Sequence, residues 1–193
     1  MQILTQNEKI KKSCNETWNV FNFGIPAYKE ASGKLTCPFA DKCAKACYAQ
    51  AGAYNYGNTK RAYQARYELT QSDTFVDVMY NEIMSKFYAS KSKGKKCIIR
   101  IHDSGDFYSK EYVSKWYNIM QRIMDTDETY DFKTMSHNVM FYAYTKSASL
   151  ILERTFWPAN FVPIFSLGGK NDQLIDVSKM RHAKVFDSLE SLI

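Results

Sequence analysis

Apolar and polar positions along this chain come in blocks whose period switches between two and nearly four. Trp18-Asn19-Val20-Phe21-Asn22-Phe23-Gly24-Ile25 reads as a strand that stops at Pro26. Residues from about Thr59 to Leu69 read as a helix. Ser72 is placed to cap a second helix, on which Phe75, Met79, Ile83 and Phe87 recur every four residues and make one apolar face. Cys97-Ile98-Ile99-Arg100-Ile101-His102 is a short apolar run that breaks at Asp103-Ser104-Gly105-Asp106. Ser109 then opens a helix with Tyr112, Trp116, Ile119, Met120 and Ile123 on one side. A polar loop spans Asp125 to His137. Val139-Met140-Phe141-Tyr142-Ala143-Tyr144 predicts the next strand, Ser147 caps a short helix, and Phe161-Val162-Pro163-Ile164-Phe165-Ser166 predicts a last strand running into Leu167-Gly168-Gly169.

Strands alternating with helices predict an α/β fold, a parallel sheet with helices packed outside it. Four strands are too few to close an eight-stranded barrel, so the expectation is a partial, open parallel β/α barrel formed by a single domain over residues 1–193. In such folds the chemistry gathers in the loops after the carboxyl ends of the strands. Those segments are the cysteine loop at 36–48, His102 to Asp106, Tyr144 to Ser147, and Ser166 to Gly169.

Composition changes this picture little. The 193 residues, 45% of them hydrophobic and 15% aromatic, suffice for one well-formed core. The net charge of +6 is moderate and only partly clustered; its densest run, Lys91-Ser92-Lys93-Gly94-Lys95-Lys96, is a connector between a helical and a strand pattern, and nucleic-acid contact there would be sequence-independent. The opening residues are mostly polar, no stretch reaches membrane-spanning length, and the cysteine count is odd, which together predict a protein of the reducing cytoplasm without a disulfide framework.

The candidate chemistry starts with three cysteines in eleven residues. Cys37, Cys43 and Cys47 form a C-x5-C-x3-C run, whereas Cys14 and Cys97 stand apart. Such density points to a soft metal centre, although buried cysteines can also serve as small core hydrophobes. Three thiolates leave one ligand missing. A structural zinc wants four protein ligands, whereas an iron–sulfur cluster on three cysteines keeps one iron open for a small molecule.

The second candidate is His102-Asp103-Ser104-Gly105-Asp106, one imidazole and two carboxylates around a turn glycine. An Asp-Ser-Gly-Asp turn is ordinary in itself; its place at a strand end makes it a candidate site, with His102 either a ligand or an orienting partner. Tyr48, Tyr54, Tyr56, Tyr63 and Tyr67, interleaved with Lys60, Arg61 and Arg66, offer base stacking and phosphate contacts, or else plain packing.

Four segments together resemble the phage gene product 88 family: Asn22 to Ala27 before Thr36-Cys37-Pro38; Cys43-Ala44-Lys45-Ala46-Cys47-Tyr48-Ala49; Arg100 to Ser109; and Tyr142-Ala143-Tyr144-Thr145-Lys146-Ser147. The family is named for a phage gene, and the resemblance implies no reaction. More distantly the pattern is similar to the radical S-adenosylmethionine enzymes, with an aromatic residue beside the last cysteine (Cys47-Tyr48) and Gly105-Asp106 after the second strand. Those enzymes usually show C-x3-C-x2-C. That resemblance implies a four-iron cluster on Cys37, Cys43 and Cys47, S-adenosylmethionine on the open iron held by Ser104, Gly105 and Asp106, and Arg100, His102, Tyr144, Lys146 and Ser166 as pocket residues. The rival expectation is a non-enzymatic phage accessory protein in the host cytoplasm. In it the thiols, with Cys14, Cys97 or His102 as fourth ligand, hold zinc or a structural cluster, and the surface binds nucleic acid or a host protein.

Overall fold

Strands whose every second side chain is large and apolar need a helix layer to cover that side, and this chain supplies one between almost every pair of strands. The computed structural model describes residues 2–45 and 47–185. In order these form α1 (Glu8–Lys11), β1 (Trp18–Phe23), α2 (Lys42–Lys45), α3 (Gly57–Gln71), α4 (Phe75–Lys91), β2 (Lys96–Ile101), α5 (Lys110–Met124), β3 (Tyr130–Asp131), β4 (Ser136–His137), β5 (Val139–Thr145), α6 (Ala148–Leu152), β6 (Phe161–Ser166) and β7 (His182–Ala183).

Five strands pair in the order β1-β2-β5-β6-β7, every pair parallel. Sheet order follows chain order, so each crossover moves one strand along without turning back. β1 and β7 are the two edges, and the sheet does not close. Along β1 the amino-terminal segment adds an antiparallel bridge, Thr5 to Asn22.

The helix-facing side of the sheet is the core. Cys97, Ile99 and Ile101 of β2, Phe141 and Ala143 of β5, and Phe23 of β1 are buried against Phe75, Met79, Ile83 and Phe87 of α4 and Tyr112, Trp116 and Ile119 of α5. Trp116 sits edge-on to Phe23 and Phe75, with ring centroids 5.5 and 5.6 Å away. Each such side chain contributes roughly 1.5–3 kcal/mol through burial. The opposite side is different. Ile98 and Arg100 of β2, Met140 and Tyr142 of β5, and Val162 and Ile164 of β6 are only half-buried, and Tyr144 is 41% exposed.

Several sequence expectations shift in detail. Ser72 ends α3 instead of opening α4: its hydroxyl donates back to the Leu69 carbonyl at 2.9 Å, and α4 starts after Thr74. Ser109 does cap α5, accepting from the Tyr112 amide at 3.1 Å. Ser147 precedes α6 but donates to the Phe107 carbonyl at 2.7 Å and leaves the helix uncapped by its side chain. The loop read from Asp125 to His137 contains the small β3–β4 hairpin.

Candidate functional site at the carboxyl edge of the sheet

The cysteine loop leaves the carboxyl end of β1 and is fastened at its first half. Buried Thr36 donates its hydroxyl to the Pro26 carbonyl (2.7 Å), and its own carbonyl accepts the Asp106 amide (3.0 Å). Just beyond Cys37, Ala40 bridges Gly169 after β6, and Lys170 reaches back with its amide to the Phe39 carbonyl and its ammonium to the Pro38 carbonyl, each at 2.9 Å. The ends of β1, β2 and β6 are thereby stitched together. Cys43 lies on α2 and Cys47 just before a 3-10 turn at Tyr48–Gln50; Ala46, part of the cysteine motif, is outside the described residues.

The three thiols share one electrostatic environment. Burial pushes the Cys37 thiol up to about 12, and the Asp106 carboxylate and the thiols of Cys47 and Cys43 push the same way. Cys43 is also raised, first by burial, with Lys146 opposing the shift and Cys47 and Asp106 adding to it. Among the described residues, no three His, Cys, Asp or Glu side chains gather as one metal ion requires. The other proposed zinc ligands point elsewhere. The Cys14 sulfur accepts from the Val20 amide at 3.3 Å, Cys97 is sealed in the helix-facing core with its thiol pushed up to about 12 by burial, and His102 lies in an aromatic cage.

His102 reaches that cage because its backbone turns left-handed, at φ 66°. Alternation along β2 would aim it at the open side. The turn instead tucks the ring under the helices, edge-on to Phe107, with Nε2 2.9 Å from the Tyr112 hydroxyl. Burial, assisted by Arg100, holds its pKa down to about 3. The expected pocket histidine is therefore a neutral core residue.

Asp106 is a structural hub. Its carboxylate accepts from Thr145 Oγ1 (2.7 Å), the Lys146 amide (2.8 Å) and the Phe107 amide (2.7 Å), binding the turn after β2 to the turn after β5. Burial raises its pKa, against the pull of those donors. Gly105 cannot carry a side chain, since at φ 80° a Cβ would lie 2.2 Å from Ile25 Cγ1. Ser104 is 5% exposed and its hydroxyl has no partner among the described residues.

Asp103, the other carboxylate of the motif, organises the other side of the turn. Its Oδ2 accepts from Asn7 Nδ2 (3.1 Å) and the hydroxyls of Tyr63 (3.0 Å) and Tyr54 (3.5 Å), while its carbonyl accepts the Tyr48 hydroxyl at 2.6 Å. Gly24 allows this approach: a Cβ there would lie 2.1 Å from Asp103 Oδ1 and 2.5 Å from the Tyr63 ring. The strand-end glycine was the available signal. Tyr54 and Tyr63 are thus committed to a carboxylate and Tyr67 is buried, which leaves Tyr48 and Tyr56 as the exposed members of the tyrosine series.

The remaining candidates lie on the open side of the sheet. The Arg100 guanidinium stands 5.4 Å from the Tyr144 ring, and its Nε is buried without a partner among the described residues. Lys146 Nζ donates to Ser166 Oγ (3.0 Å) and to the carbonyls of Ser166 (3.0 Å) and Leu167 (2.8 Å), so Lys146 and Ser166 meet beside Cys43. No described helix is long and apolar enough to cross a membrane.

Comparison with known proteins adds the lineage. No solved structure matches the chain. It is similar to the "Gene 88 protein" of Mycobacterium phage D29, 29% identical over 157 residues covering 74% of this chain and 55% of that protein, so the chain spans about half the length of this curated relative. A family model described as Gene product 88 matches residues 2–192, and the chain belongs to that family.

Proposed function

We propose that the loop from Cys37 to Cys47 carries an iron–sulfur cluster of the four-iron type and that the protein is a radical S-adenosylmethionine-like enzyme built on a partial β/α barrel. What supports this reading is the C-x5-C-x3-C run itself, carried on a loop that leaves the carboxyl end of a parallel strand, where ligands of α/β folds lie. The donor set fits a soft, multi-iron group. A structural zinc wants four protein ligands, and among the described residues no three His, Cys, Asp or Glu side chains gather as a single metal ion requires. With S-adenosylmethionine bound, such a cluster supplies the electron that cleaves a carbon–sulfur bond of the sulfonium.

The protein's own residues hold and shape the site. Bare Cys37 and Cys43 keep their protons at neutral pH, so loading releases protons and improves as pH rises. Lys146 brings positive charge beside Cys43, favouring its thiolate. Asp106 acts by positioning, because its oxygens are already engaged by the turn after β5. The open sheet side, with Arg100, Tyr142 and Tyr144, receives the substrate.

Anaerobic reconstitution with iron and sulfide tests this. The expected result is brown protein with about four irons per chain, and 5′-deoxyadenosine released on reduction with S-adenosylmethionine. Cys43→Ala loses both colour and product. Colourless protein holding zinc overturns the cluster; brown protein that neither binds nor cleaves S-adenosylmethionine overturns the enzyme class.

A further inference from the structure

A separate cavity of about 640 Å³ lies between α3, the loop after β1 and the turn that follows Cys47. Its volume falls within the range of small-molecule sites. None of the three motif cysteines lines it. Ser104 does, 95% buried with a hydroxyl that has no partner among the described residues. A buried hydroxyl left unpaired is costly, and a ligand atom would satisfy it.

The charge around the cavity is the second observation. Lys29, Lys60 and Arg61 line it and form no ion pair among the described residues; they outnumber the two carboxylates of the lining, Glu30 and Glu68, which both accept from Gln64 Nε2 at 3.3 and 3.2 Å. Lys60 closes the first turn of α3 and Arg61 opens the second; the helix has 15 residues, no acidic residue in its first turn and no side-chain cap. Cations there oppose the positive end of the helix dipole; an anion held between them reverses the conflict. Tyr54 lines the same cavity as these cations and Ser104 and supplies an aromatic ring to its wall. The cavity is much larger than one phosphate requires.

We propose that this cavity binds a nucleoside monophosphate. Its phosphate sits on Lys60, Arg61 and Lys29, and its base lies against Tyr54 with a hydrogen bond to Ser104. The inference does not depend on the cluster.

Calorimetric titration of the full chain with adenosine 5′-monophosphate, adenosine and inorganic phosphate tests it. The monophosphate binds, while adenosine and phosphate each bind at least about tenfold more weakly, as loss of charge-assisted contacts or of stacking implies. Lys60→Glu with Arg61→Glu, a change that favours the helix itself, weakens binding at least about tenfold. Ser104→Ala weakens it about threefold to tenfold. Cys37→Ala leaves it unchanged, which separates this site from the fate of the cluster. The proposal is overturned if folded protein does not bind the nucleotide, if phosphate binds as tightly as the nucleotide, if the double charge reversal has no effect, or if Cys37→Ala abolishes binding.

Discussion

The two sides of the central sheet are made from the same strands and obey opposite rules. On β2, Ile99 is fully buried under α4 and α5, whereas Ile98, one residue away, is only partly buried. Parallel sheets are normally covered on both faces. Here consecutive strand order sends the crossover helices to one side, and the other side carries Arg100, Tyr142 and Tyr144 among its aliphatics. The helix side is built for stability and the open side is available to a ligand, so substitutions should separate the two.

The largest effect belongs to the helix side. Trp116→Ala should cost about 3–5 kcal/mol in urea unfolding, because the indole packs between Phe23 and Phe75 with no exposed surface. A loss under about 1 kcal/mol would show that the helix layer is not the core. The sharper test compares neighbours: Ile99→Ala should cost roughly 2–5 kcal/mol and Ile98→Ala less than about 1 kcal/mol. Equal losses would mean that both sides are covered in solution.

His102 extends the comparison to pH. Its folded pKa, held down to about 3, lies below the unfolded value, so the unfolded chain binds the extra proton first as the solution is acidified. Its contribution is complete above roughly pH 6.5 and declines at about 1.4 kcal/mol per pH unit toward pH 3. His102→Asn, a residue that tolerates the left-handed backbone, should flatten that slope in unfolding measured from pH 7 to 4. The smallest effects are at Ser109, where alanine should cost about 1 kcal/mol by removing the α5 cap, and at Arg100 on the open side, where alanine should move stability by less than about 0.5 kcal/mol.

Much of this was legible in the chain. The strands at Trp18, Cys97, Val139 and Phe161 and the apolar faces of α4 and α5 follow from periodicity, because burial on one side imposes it. β7 and the β3–β4 hairpin did not, since two residues have no period to read. His102 lies on the helix side for a specific reason: a left-handed φ in a residue other than glycine reverses the alternation that would aim it at the open side. Asp103 stands in the candidate turn, but its partners cannot be read from the chain, because Asn7, Tyr54 and Tyr63 are separated from it by 96, 49 and 40 residues.

The convergence on Asp103 also bears on how the molecule opens. One carboxylate holds the amino-terminal segment through Asn7, the turn after Cys47 through Tyr54 and the first half of α3 through Tyr63, and Gly24 is the floor on which it rests. These pieces share an anchor, so releasing it frees all of them at once. Residues 5–10 and 54–66 should therefore exchange their amide hydrogens as one cooperative unit, at a free energy below that of global unfolding, despite lying far apart along the chain.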